Sequence, residues 1–129
     1  MVFNTAAQEK YALRTFTTRD GLPHNQVLSI AQDSTGFIWI ATWDGLSRFD
    51  GYEFKNFYHN PLDSTSIPNF SAIKLAVDNR NNLFVVCIVS TPSIYDPANE
   101  QFHQTTKNEN FITPEVVVNL KGDVFAENH

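Results

Sequence analysis

Asp33-Ser34-Thr35-Gly36 leads into Phe37-Ile38-Trp39-Ile40-Ala41-Thr42, and then come Asp44-Gly45, Leu46-Ser47-Arg48-Phe49, Asp50-Gly51 and Tyr52-Glu53-Phe54-Lys55-Asn56-Phe57. This stretch dictates the architecture of the chain. Asp33 to Gly36 is a tight turn: an Asp carboxylate bonds backbone amides further along, and Gly accepts φ > 0 without a Cβ clash. Residues 37–42 are β-branched and aromatic, as a strand demands. Asp44-Gly45 is a strong hairpin signal. Residues 46–49 and 52–57 alternate apolar and polar with period two. Working backwards, Val27, Ile30 and Ala31 lie in another short apolar segment that ends at Asp33. The sum is four short strands joined by three tight turns. No segment carries helix signals over the ten or so residues a helix wants.

The same pattern returns 45 residues later. Leu22-Pro23 recurs as Ile67-Pro68, Ile30-Ala31-Gln32-Asp33 as Leu75-Ala76-Val77-Asp78, and Ile38-Trp39-Ile40 as Leu83-Phe84-Val85. Phe49-Asp50 recurs as Tyr95-Asp96, after one extra residue. A weaker third copy begins near Thr113-Pro114 and includes Asn119 to Phe125. Four strands per unit at a period of ~40–50 residues is the signature of a β-propeller blade. The predicted fold is therefore all-β: a propeller fragment of four-stranded antiparallel blades at 22–58 and 67–105, with a partial blade at 113–129. Tyr11 to Thr17 reads as an outer strand of a preceding blade. Residues 1–9 read as an N-terminal arm or the remnant of an export signal, on the small residues Thr5-Ala6-Ala7.

Composition narrows the function. Fourteen acids against nine bases, with no run of like charge, argue against a nucleic-acid partner, which needs a clustered basic face. No apolar stretch approaches the ~18 residues that span a bilayer, so no membrane contact is expected of this segment. One cysteine, Cys87, excludes an internal disulfide; its apolar neighbours make it a small buried hydrophobe. His24, His59, His103 and His129 are scattered, so no metal site is expected. Asp78 to Asn82 has the polar density of a calcium loop, but Arg80 occupies the third position, and the stretch reads as a turn. Asn69-Phe70-Ser71 fits the glycosylation sequon. No nucleophile elbow, phosphate loop or dinucleotide fingerprint appears, so neither a catalytic residue nor a cofactor is expected. Asp33, Asp44, Asp50, Asp78 and Asp96 each fall where a turn needs a carboxylate.

Two aromatic positions stand apart. Trp39 and its counterpart Phe84 lie in apolar strands and are expected to pack between adjacent blades. Trp43 lies in the turn between the second and third strands. In a four-stranded blade that turn opens on the same face as the loop Asp20-Gly21-Leu22-Pro23-His24-Asn25. His24, Asn25, Trp43 and Asp44 are the candidate ligand-binding residues, since an aromatic beside polar groups can stack on and bond a sugar ring.

Gly21-Leu22-Pro23-His24-Asn25-Gln26-Val27, with Ile30 to Thr42 and Asp44 to Gly51, closely resembles the two-component regulator propeller repeat. The second copy departs from it: Asn82 stands for the turn Gly, Phe84 for Trp, and Ser90-Thr91-Pro92-Ser93 for Asp-Gly-Leu. The resemblance implies a periplasmic sensor region of a bacterial hybrid two-component histidine kinase, many of which sense polysaccharide breakdown products. It implies an oligosaccharide ligand, the remainder of the sensor as a partner, and signalling by population shift. The segment itself is expected not to be an enzyme. The alternatives are a protein-interaction or dimerisation module and a propeller glycosidase or lyase. Two blades and a part fall short of the ~4–8 that close a ring. The isolated chain is therefore expected to form homo-oligomers through open blade faces, lined by residues such as Trp39, Phe84 or Val124, or through edge strands in the segment 115–126.

Overall fold

A computed structural model describes residues 2–7, 10–105, 116–118 and 124–126. Twelve strands and one 3-10 turn, with no α-helix among the described residues, make the protein all-β. β3 (Val27–Gln32), β4 (Ile38–Thr42), β5 (Gly45–Phe49) and β6 (Phe54–Phe57) form one antiparallel meander. β7 (Ala72–Val77), β8 (Leu83–Cys87), β9 (Ser93–Asp96) and β10 (Gln101–Gln104) form a second. Both expected blades are present. The repeat extends to irregularities: the register shifts between Val27 and Ser29 in one blade, and between Ala72 and Lys74, 45 residues on, in the other.

Two shorter hairpins flank the blades. β1 (Val2–Ala7) pairs with β2 (Lys10–Thr15), so the stretch expected as an arm is a strand. β11 (Val116–Val118) pairs with β12 (Val124–Ala126) where the third copy was expected. The inner strands line up, β3 beside β7 and β7 beside β11.

Each central strand is apolar on both sides because each face meets a different neighbour. Trp39 and Ala41 of β4 point into the seam between the blades, with Leu83, Val85 and Cys87 of β8. Ile38 and Ile40 point the opposite way, onto Phe16, Leu22, Phe49 and Phe54. Phe84 and Val86 of β8 turn from the seam to the far side of the second blade, with Ile73 and Ala76. Trp39 is the pivot of the seam, 1% exposed. Its ring stacks on Phe57 at 5.8 Å and meets the edge of Tyr95 of the next blade at 4.7 Å. Trp39 therefore packs between adjacent blades, as expected, and so does not line an open blade face as the oligomer expectation had it, because the second blade covers it. Val124's side chain lies outside the described residues.

The turns obey the chemistry of their residues. Asp33 Oδ1 accepts from the amides of Thr35 and Phe37, each at 3.0 Å, and Asp78 Oδ1 accepts from those of Arg80 and Asn82. Asp50 and Asp96 close their turns in the same way. The stand-in for Gly36 (φ 102) is Asn81 (φ 63), not Asn82 as the sequence suggested. Asn tolerates the left-handed region because its short polar chain bonds locally. Asp44 also departs from expectation. Among the described residues its carboxylate holds no turn amide; buried Thr42 does that work, its Oγ1 accepting from Asp44 N and donating to Gly45 O.

Candidate functional site

The strand order places the loop 21–26, the turn 43–44, the connection 58–71 and the turn 88–92 at one end of the two blades. This end is a rim. The amide of Trp43 donates to Gln26 O at 3.1 Å, so the β4–β5 turn touches the loop before β3, as the sequence predicted. The second blade repeats the bond: Ile88 N donates to Ser71 O at 3.1 Å. The blades are joined here too, since Ser71 Oγ donates to Trp43 O at 2.7 Å, while Asn69 Nδ2 donates to Ile88 O at 3.0 Å within the second blade.

The four candidate residues therefore share a neighbourhood but not a task. His24 Nδ1 accepts from Gln26 N at 2.9 Å, and Asn25 Oδ1 accepts from Thr18 N at 2.8 Å. Both side chains brace their own loop. Trp43, 48% exposed, and Asp44 remain open to solvent. Phe70, Ile88 and Val89 are exposed along the same rim, which gives it an apolar edge of a kind that marks interaction surfaces. None of the four candidate residues lines the three clefts that follow.

A cleft of about 520 Å³ opens beside the connection 58–71. His59 to Pro61, Asp63, Ser64 and Ser66 to Pro68 form one wall, Val89-Ser90-Thr91 another, and Gln104-Thr105 the end. The sequence gives no ligand motif at residues 59–66, because that part of the connection lies between the repeats. Its length and its density of Asn, Asp, Ser and Pro were the available signal, since long ordered loops carry function disproportionately. Asp63 organises it: Oδ1 accepts from both the amide and the hydroxyl of Thr65. Those bonds, the hydroxyl's first, hold its carboxyl below the ordinary value. A neighbouring cleft of about 380 Å³ lies under Tyr58, Asp63 and Phe102.

The third cleft, about 270 Å³, sits in the seam at the opposite end, between Asp33, Trp39, Arg48 and Tyr95. Arg48 spans the seam, lying over Phe37 at 4.7 Å and donating to Tyr95 Oη at 3.0 Å and to Glu100. Burial raises the Tyr95 phenol above its usual value, against the opposing influence of Arg48. Burial also pushes the Cys87 thiol up to about 11, so it stays protonated and unreactive. Among the described residues no group of three His, Cys, Asp or Glu side chains could hold a metal ion, and no helix is long and apolar enough to cross a membrane.

Known proteins share this fold. Residues 21–44 match the family described as two component regulator propeller. A 62-residue stretch is 45% identical to histidine kinase P4 of Formosa agariphila, covering 48% of this chain and 4% of that protein. The extracellular domain of a hybrid two-component system of B. thetaiotaomicron superposes with a TM-score of 0.67 at 26% identity, over 80% of this chain and 15% of that one. The extracellular domain of another such system of B. thetaiotaomicron shares the fold, with a TM-score of 0.63 at 24% identity over 88% of this chain and 15% of that one. The chain thus spans a small part of each of these relatives.

Proposed function

This chain carries two-component regulator propeller repeats, and on that premise we propose that it is the ligand-sensing propeller region of a hybrid two-component receptor, working outside the cytoplasm in the periplasm and reading a glycan-derived ligand at its rim. The observation that carries the reading is the rim itself. Loops from two blades are bonded into one surface there, and Trp43 stands open upon it beside Asp44. An aromatic face can stack on the C–H side of a sugar while neighbouring polar groups bond its hydroxyls. His24 and Asn25 act one step back, by fixing the loop against which Trp43 sits. The segment performs no chemistry of its own. It contributes a binding free energy that differs between two arrangements of the receptor, and the rest of the receptor responds to that difference. Calorimetric titration of the complete protein with neutral and acidic oligosaccharides tests this. Binding that Trp43→Ala weakens, with little change in melting temperature, is the expected result. Turnover of the sugar would instead make the protein an enzyme.

A second reading has its own observation. The apolar edge made by Trp43, Phe70, Ile88 and Val89 suits a protein partner or a second copy of this chain. Self-association in sedimentation, lost in Trp43→Ala and without response to any sugar, would favour that reading.

A further inference from the structure

The proposed sensing function stacks a sugar on Trp43 at the rim but leaves its charge open; the cleft beside the connection 58–71, at the same end of the blades, offers a second seat and bears on that charge. The hydroxyl protons of four of its residues are already committed, while the Ser64 hydroxyl and the side-chain amides of Asn60 and Gln104 also line it and can donate. Ser66 Oγ donates to Asn60 O or Asp63 O, Ser90 Oγ to Cys87 O, Thr91 Oγ1 to Thr105 O and Thr105 Oγ1 to Pro92 O. A hydroxyl that has spent its proton offers only lone pairs. His59 adds to this: Nδ1 lies 2.7 Å from Ile67 O, and a carbonyl can only accept, so Nδ1 carries a proton, and in the neutral ring Nε2 accepts. Asp63 adds a carboxylate, and no Lys or Arg lines the cleft. The walls between these acceptors are aliphatic, from Ile67, Pro68 and Val89.

Val89 supplies an independent observation. It is 93% exposed, β-branched and held at φ 54, in the left-handed region where such a residue is an outlier. The matching turn of the first blade has Gly45 at its positive-φ position. Nothing in the blade's packing calls for an exposed valine in that strained position, and strain of this kind clusters at ligand contacts.

From these observations we infer that the cleft is a binding site for a neutral, polyhydroxylated ring, with hydroxyls donating to the acceptor-rich walls and a C–H face on Val89. The cleft disfavours carboxylated and sulfated sugars, because their anionic groups would meet the Asp63 carboxylate with no Lys or Arg in the lining to pair with.

The test rests on the sensing reading and separates its own failure from that one. The complete protein is titrated with cellotetraose, xylotetraose, mannotetraose and laminaritetraose, and with tetragalacturonate as the acidic counterpart. The expected result is binding of at least one neutral tetrasaccharide and none of tetragalacturonate. Val89→Gly should weaken that binding about tenfold, as loss of an apolar pocket group does, while raising the melting temperature by relieving the strained φ. A merely structural Val89 would show the gain in stability without the loss in affinity, and that would overturn the proposal. The exposed double variant Ser64→Lys/Gln104→Lys should shift preference toward tetragalacturonate. Binding that depends on Trp43 but ignores every cleft variant sinks the cleft and keeps the sensing reading. Binding of the acid alone sinks the proposed ligand class. No binding to any of the five overturns both.

Discussion

The two blades are built to one plan from different parts, most visibly where the first turn meets the second strand. In the first blade Trp39 Nε1 donates to Asp33 Oδ2 at 2.9 Å, so the indole is fastened to the turn. In the second blade Phe84 has no such donor. Asn82, at the position of Phe37, supplies it instead, its Nδ2 donating to Asp78 Oδ2 at 3.0 Å. The outer partner differs as well. Ser47 Oγ donates to Asn56 Oδ1 at 2.7 Å, whereas its counterpart Ser93 is fully buried with its Oγ unpaired. The β4–β5 pairing has five residue pairs and β8–β9 has two. The lesson is that the turn carboxylate is the constant of the blade, while the group that satisfies it is free to change.

The contrast makes ordered predictions. Trp39→Ala should cost about 3–5 kcal/mol, the range for losing a buried large aromatic. Phe84→Ala should cost less than half of that, since Phe84 is only half-buried. Denaturant unfolding measures both, and a larger loss at Phe84 would reverse the assignment of the seam. Next come the β4–β5 and β8–β9 turns. A Cβ at Gly45 would lie 2.8 Å from Phe57 O at φ 106, so Gly45→Ala should cost about 2 kcal/mol. Val89→Gly should gain about 1 kcal/mol by releasing its φ. If both substitutions destabilise, the strain at Val89 is not real. The serine pair should split at smaller scale. Ser47→Ala should cost about 1 kcal/mol for its lost bond, and Ser93→Ala should be neutral or stabilising, since removing an unpaired buried hydroxyl removes its desolvation penalty. Equal effects in thermal melts would erase that difference between the blades.

The smallest effect is in pH. Burial opposes ionisation of Asp78, but bonds from the Asn82 side chain and from the amides of Asn82 and Arg80 outweigh it and lower its pKa below 3.8. A carboxylate whose folded pKa is depressed stabilises the fold above its unfolded pKa and loses that contribution as pH falls through the folded value. Stability should therefore decline as pH drops below about 3.8, and Asn82→Ala should shrink the decline. An unchanged acid profile would mean that Asn82 does not replace the indole.

Much of this was legible in the chain. Turn residues and period-two alternation gave both blades, and the offset of 45 placed Trp39 in a seam because an apolar strand must be covered on both faces. What sequence could not show was which face met which neighbour: Phe84, expected in a seam like Trp39, points to the far side of its blade. The same limit hid the turn substitution. Asn81 and Asn82 are adjacent and chemically alike, and only backbone φ distinguishes the one that replaces glycine from the one that replaces a donor. The rim was predicted from strand order, but His24 and Asn25 look like ligand groups until their loop bonds are seen. The cleft was missed because part of its wall lies between the repeats: it forms where the connection 58–71 meets the turn 88–92 and the end of β10, which are distant in sequence.

The seam is fastened at three levels. Ser71 Oγ reaches Trp43 O at the rim, Leu75 N reaches Ser29 Oγ midway along the inner strands, and Asn81 Oδ1 accepts from Ser34 N at the far end. Two bodies pinned at one point can swivel, and pinned at two they can still hinge about the line between them. A third pin, with Arg48 as an outrigger on Tyr95, leaves neither freedom. The two blades are therefore tied together along the whole length of the seam, from the rim to the opposite end.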